Sequence, residues 1–197
     1  MKMDRRDFLR TGATLGAGAA LTGAPAQAAT PELKFQQGAS PWPLVLNAST
    51  IRHMPGGTET ERAKTPPRTK VKVAAEAGWD GIELWMDDLE TFEKEGGKLV
   101  DLKQEIKDLG LYVNNIIGLW GSMPEGEDAW KEQLVKTREM LRMVSEVGAE
   151  GVAALPFPDR EDFDIKWGAE KYRELLRIGR EDYNVRVAFE FIGFVKG

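Results

Sequence analysis

Apolar residues along this chain fall into short continuous runs, separated by longer stretches in which they recur every three or four positions. The runs read as buried strands and the longer period as amphipathic helices. Positions 44–48 (Leu-Val-Leu-Asn-Ala), followed by polar Ser49 and Thr50, predict a first strand. A loop with Pro55-Gly56-Gly57 and Pro66-Pro67 comes next, then a helix over 69–77 with Val71, Ala74 and Ala75 on one face. Positions 81–85 (Gly-Ile-Glu-Leu-Trp) predict a second strand, followed by a polar loop. In the helix at 98–109, Leu99, Leu102, Ile106 and Leu109 share a face. A third strand at 111–119, a long helix at 130–147, a fourth strand at 151–155, a helix at about 168–180 and a fifth strand at 185–192 complete the pattern. Gly78, Gly110 and Gly148 stand where three of the helices must stop, 32 and 38 residues apart.

A repeat of helix, turn, apolar strand and loop predicts α/β architecture, a parallel sheet with right-handed crossovers and four helices outside. Both common forms, the doubly wound sheet and the TIM barrel, place a site at the C-terminal strand ends. No GxGxxG follows the first strand and there is no Walker lysine motif, which argues against nucleotide binding. Five strands are visible in 197 residues, whereas a (β/α)8 barrel takes about 250. The sequence therefore reads as a small five-stranded domain or as about five of the eight βα units of a barrel.

Composition narrows the chemistry. The absence of Cys removes disulfides, thiolate nucleophiles and zinc–thiolate sites. One histidine, His53, excludes HExxH and multi-His metal sites, so a metal centre would have to be rich in carboxylates. A net charge of −5 gives no footprint for a nucleic-acid backbone.

The first 28 residues read as a twin-arginine signal peptide. Arg5-Arg6-Asp7-Phe8-Leu9-Arg10 supplies the arginine pair, 11–22 is a mildly apolar run too short to span a bilayer, and Ala26-Gln27-Ala28 ends the leader. Cleavage after Ala28 leaves 169 residues with net charge −7, an acidic chain with no membrane anchor, exported to the periplasm or secreted. The expected organisation is a signal peptide at 1–28, an N-terminal segment at 29–43 and the α/β domain at 44–197.

Three segments carry a family likeness: Leu46-Asn47-Ala48-Ser49-Thr50-Ile51-Arg52, Ala77-Gly78-Trp79-Asp80-Gly81-Ile82-Glu83-Leu84-Trp85, and Val187-Ala188-Phe189-Glu190-Phe191-Ile192-Gly193-Phe194. In this order and spacing the chain resembles the xylose-isomerase-like TIM barrel family, which contains sugar phosphate isomerases/epimerases and inosose isomerase and dehydratase. The resemblance implies a partial barrel, a sugar or cyclitol substrate, and a divalent metal (Mn²⁺, Mg²⁺ or Co²⁺) held by carboxylates and a His. Glu190 matches the family's fifth-strand metal ligand, and a hard ion suits a carboxylate oxygen. The alternatives for Glu190 are an ion pair or an exposed edge position. The family's other ligands, an Asp, a His and a second Glu, lie on strands six to eight. The expectation is thus a truncated member with little or no isomerase activity, weak metal affinity, and open sheet edges prone to self-association.

Other candidates carry two readings each. Glu83 matches a second-strand family glutamate and either lines the pocket or forms a buried ion pair. Trp85 and Trp120 follow strands, where they stack on a sugar ring or close the core. His53 either contacts substrate or sits on a surface loop. Asn114-Asn115 must find partners for their amides, and 124–128 reads as a solvated acidic loop with Asp128 at the start of the long helix. Two functions compete: an exported metal-dependent sugar isomerase/epimerase, and a non-catalytic carbohydrate-binding or orphan α/β domain. The related abasic-site endonucleases need several His ligands and a basic groove, which this chain lacks.

Overall fold

The computed structural model describes residues 42–53, 64–155 and 164–190. The leader at 1–28, the Pro55-Gly56-Gly57 loop, the charged stretch at 158–162 and positions 191–192 of the expected fifth strand lie outside the described residues.

Five parallel strands form one sheet: β1 (Val45–Asn47), β2 (Gly81–Trp85), β3 (Tyr112–Trp120), β4 (Gly151–Leu155) and β5 (Arg186–Phe189). They lie side by side in chain order. That order decides between the two architectures left open by the sequence. A doubly wound sheet reverses its direction of growth at a switch point, whereas here every crossover steps the same way. Since such crossovers are right-handed, all helices fall on one face, as in a barrel wall. Among the described residues β1 and β5 each have a single strand neighbour, so the sheet is not closed.

A 3₁₀ turn, Ala48–Ile51, follows β1. The helices are α1 (Pro67–Glu76), α2 (Met86–Lys94), α3 (Leu99–Asp108), α4 (Glu127–Glu146) and α5 (Ile165–Tyr183). The described residues thus hold five α-helices where the pattern predicts four. α2 occupies what reads as a polar loop. Its buried apolar residues Met86, Leu89 and Phe92 are diluted by six charged or polar neighbours, and its start is set by Asp88, whose carboxylate accepts the Trp85 N–H at 3.1 Å. Three other helices begin earlier than the pattern predicts. α1 begins two residues early because Pro67 suits a first helical turn. α5 begins at Ile165 because Asp164 accepts the N–H groups of Lys166 and Trp167, and ends where Asn184 turns left-handed. At α4, Gly126 is the N-cap and Asp128 lies in the first turn without capping.

The two faces of the sheet pack differently. Ile82, Leu84, Ile116, Leu119, Val152 and Ala154 are fully buried against the helices, with Val71, Leu89, Leu102, Leu141 and Leu175 opposite them. On the other face Ile117, Ala153 and Leu155 form a separate small cluster with Trp85. Across the helix layer, Arg142 of α4 reaches Glu93 of α2 and Glu139, both at 2.7 Å.

Gly118 allows the tightest of these approaches. Its φ of +142° marks a register shift in β3, and a Cβ there would lie 2.5 Å from the Met86 Cβ. Only glycine lets β3 pass the first residue of α2 this closely.

Candidate functional site

Side chains alternate across a strand, so the residues that turn away from the helices can be followed from one strand to the next. Asn47, Glu83 and Asn115 are register partners on β1, β2 and β3. Asn47 Nδ2 donates to Glu83 Oε2 at 2.5 Å and Asn115 Nδ2 donates to Glu83 Oε1 at 2.8 Å. Glu83 is therefore held by two neutral amides. The ion pair weighed for it from sequence is absent among the described residues, and its two oxygens keep lone pairs for a further partner.

Further toward the C-terminal ends stand the aromatic residues. The Trp85 ring packs on Ile117, Ala153 and Leu155, and the Arg52 guanidinium carbon lies 4.7 Å from its ring centroid. Trp120 ends β3 opposite Leu155 and is 45% exposed. With Arg52, Asp87, Glu90 and Met140, the two tryptophans line a cavity of about 330 Å³. A larger groove of about 930 Å³ runs past Asn115, Gly151, Arg180 and Arg186. Gly151 and Arg186 are the first residues of their strands, so this groove opens toward the N-terminal side, where barrels carry stability and not chemistry. The smaller cavity is the better candidate.

Among the described residues, three of the four buried side-chain polar atoms without a hydrogen-bond partner belong to residues near the same strand ends: Trp85 Nε1, Ser122 Oγ just beyond β3, and Glu190 Oε2 just beyond β5. The fourth is Thr137 Oγ1 on α4. Glu190 N–H donates to the Ala154 carbonyl at 3.1 Å, which continues the ladder and leaves its side chain on the face opposite Val187 and Phe189. A buried carboxylate oxygen without a donor is costly, and a cation would relieve that cost. Glu190 therefore fits a metal ligand. No group of three or more His, Asp or Glu residues converges among the described residues.

His53 is elsewhere. It makes an isolated antiparallel bridge with Lys64 and does not line the cavity. The loop carrying Ser122 is clasped from outside: Trp167 Nε1 donates to the Pro124 carbonyl at 2.9 Å, and Lys171 sits 4.5 Å and 5.2 Å from the Trp167 and Trp130 ring centroids. Lys171 also pairs with Glu127 at 3.0 Å, and its hydrogen bond holds the Glu127 carboxyl below the usual range.

Sequence reasoning missed Asn47 as the second amide on Glu83, and it missed Arg52, Ser122 and the Lys70–Asp88 pair. Asn47 had a legible signal, since it stands on the strand face that points to Glu83. Arg52 and Ser122 gave none, because their roles depend on loops meeting across strands.

Residues 2–22 match the family model for the TAT (twin-arginine translocation) pathway signal sequence, which supports export across the cytoplasmic membrane. No curated protein matches the chain in sequence. Among solved structures it is similar to the IolI protein with a bound zinc atom (TM-score 0.62, 19% identity, 77% of this chain and 52% of that one). It is also similar to D-psicose 3-epimerase in the presence of D-fructose (0.60, 14%, 79% and 55%). A third match is a xylose isomerase domain protein of Salmonella typhimurium LT2 (0.59, 15%, 76% and 49%). The described residues share the fold of xylose isomerase-like TIM barrels, and the chain spans about half the length of these structures. No helix among the described residues is long and apolar enough to cross a membrane.

Proposed function

We propose that the protein is an exported, metal-dependent isomerase or epimerase of sugars or cyclitols, working in the periplasm or outside the cell, and that residues 44–197 supply one part of its barrel. The observation that carries this reading is the grouping of buried, unpartnered polar atoms on Trp85, Ser122 and Glu190 near the C-terminal strand ends. Buried polar atoms are normally paired, so a set left unpaired near the C-terminal strand ends, one of them on Trp85 in the cavity wall, fits a polar ligand.

In this reading the Trp85 and Trp120 rings take the C–H face of a sugar ring, and Arg52 and Glu90 bond its hydroxyls. The indole N–H of Trp85 donates to a ring substituent. Glu83, already oriented by Asn47 and Asn115, keeps acceptor capacity toward the lumen. Glu190 holds a divalent ion with ligands from outside the described residues. Such an ion, when bound, polarises a carbonyl oxygen and eases proton transfer at the adjacent carbon.

The test has two arms. D-fructose and myo-inositol are titrated while tryptophan fluorescence is followed, and Mn²⁺ binding is read from water-proton relaxation. Saturable quenching by either compound, lost in Trp120→Ala, and weak Mn²⁺ binding, lost in Glu190→Gln, are expected. A single carboxylate leaves most of the ion's shell to water, so tight Mn²⁺ binding by this chain would show that a complete site has been overlooked. Binding of sugar without turnover in any extended form would favour a carbohydrate-binding domain instead. No saturable response to either compound overturns the substrate assignment.

A further inference from the structure

The most deeply buried charges in the described structure are outside the cavity. Lys70 of α1 and Asp88 of α2 expose 3% and 8% of their side chains, and Lys70 Nζ donates to Asp88 Oδ1 at 2.6 Å. Burying both charges gives little net stability, because desolvation offsets most of the attraction and apolar residues of the same size do as well. Geometry is what such a pair supplies. With one oxygen held by Lys70, the other faces the Trp85 backbone and accepts its N–H at 3.1 Å.

Trp85 is where this matters. It is the last residue of β2, and α2 begins at the next position with no loop between. Its side chain turns to the inner face while Met86 enters the helix-side core. Any rotation of the first turn of α2 would therefore carry the indole with it. The same turn also reaches the arginine above the ring. Asp87 pairs with Lys64 at 3.0 Å, Lys64 bridges His53, and Thr65 N–H donates to the Arg52 carbonyl at 3.0 Å.

We propose that Lys70 and Asp88 are a positioning pair that sets the Trp85 ring, and with it the aromatic wall of the cavity, without touching the cavity. The function of that wall rests on the sugar-binding reading above; the placement of the ring does not.

The test uses the full chain labelled with 5-fluorotryptophan, with the Trp85 fluorine signal assigned by its loss in Trp85→Phe. Lys70→Met/Asp88→Leu replaces the pair by apolar residues of similar size. The expected result is a cooperative melt, a shifted or broadened Trp85 signal, unmoved Trp130 and Trp167 signals, and a D-fructose dissociation constant raised about tenfold. A merely structural pair would change the melt and leave the Trp85 signal in place, and an unmoved Trp85 signal overturns the proposal. If the double variant does not fold, Asp88→Asn is read the same way, with the same two outcomes. Should the unsubstituted chain bind no D-fructose, the substrate reading fails, and the fluorine signals still decide the role of the pair.

Discussion

The two faces of the sheet are built from the same five strands by opposite rules. Toward the helices, Ile82, Leu84, Ile116, Leu119 and Val152 have no exposed surface and belong to one apolar core with the helices. Away from the helices, the alternate positions are Asn47, Glu83, Asn115 and the ring of Trp85, with only Ile117, Ala153 and Leu155 as a small apolar floor. The first face is an ordinary core whose residues gain from leaving water. The second holds a half-buried carboxylate between amides and leaves polar atoms unpaired, arrangements that cost stability and persist where a site needs them.

The contrast can be broken or sharpened by substitution. Leu84→Ala on the helix side should lose about 2–5 kcal/mol of unfolding free energy, read as a lower urea midpoint. Gly118→Ala, which adds a methyl against Met86 at positive φ, should cost roughly 2–3 kcal/mol, and Gly118→Ser no less. On the inner face, Glu83→Gln sets an amide against two amide donors and should cost only about 1 kcal/mol, while weakening any sugar response. A loss as large as that of Leu84→Ala would mean that the Asn47–Glu83–Asn115 ladder is part of the core after all.

The smallest effect is electrostatic and lies on the helix layer. Hydrogen bonds from Lys171 and Arg142 hold the Glu127 and Glu139 carboxyls below their ordinary values. A depressed folded-state value means that the contribution is present above the unfolded value, about 4.3, and is lost as the pH falls through the folded one. The melting temperature should therefore hold from neutrality to about pH 5 and fall below it. Glu127→Gln/Glu139→Gln should fall less steeply over the same range. Equal slopes would show that these exposed pairs contribute nothing measurable, as many surface pairs do.

How far the sequence could be read follows from the range of each interaction. The strands at 81–85 and 151–155 were legible to the residue because short, mainly apolar runs opening on glycine have few other uses. The helix stops at Gly78, Gly110 and Gly148 were legible because all three need positive φ. α2 was not, since its apolar stripe is short and its start depends on a buried lysine 18 residues away. Of the candidate site, the strand positions of Glu83, Trp85 and Trp120 could be read in advance, whereas the partners that orient them could not.

By itself, then, the amino-acid sequence determined the five strands and four of the five described helices, because propensity, period and glycine stops act within a few residues. It also determined the leader, whose arginine pair lies within the segment that matches the twin-arginine signal sequence. The tertiary structure decided the rest. Chain-order pairing of β1 to β5 chose a barrel wall over a doubly wound sheet, and register placed Asn47 and Asn115 on either side of Glu83. The meeting of α1 with α2 then gave Lys70 its only reason to be buried. Each of these depends on contacts between residues far apart in the chain, whose energies exist only once the backbone has closed the distance.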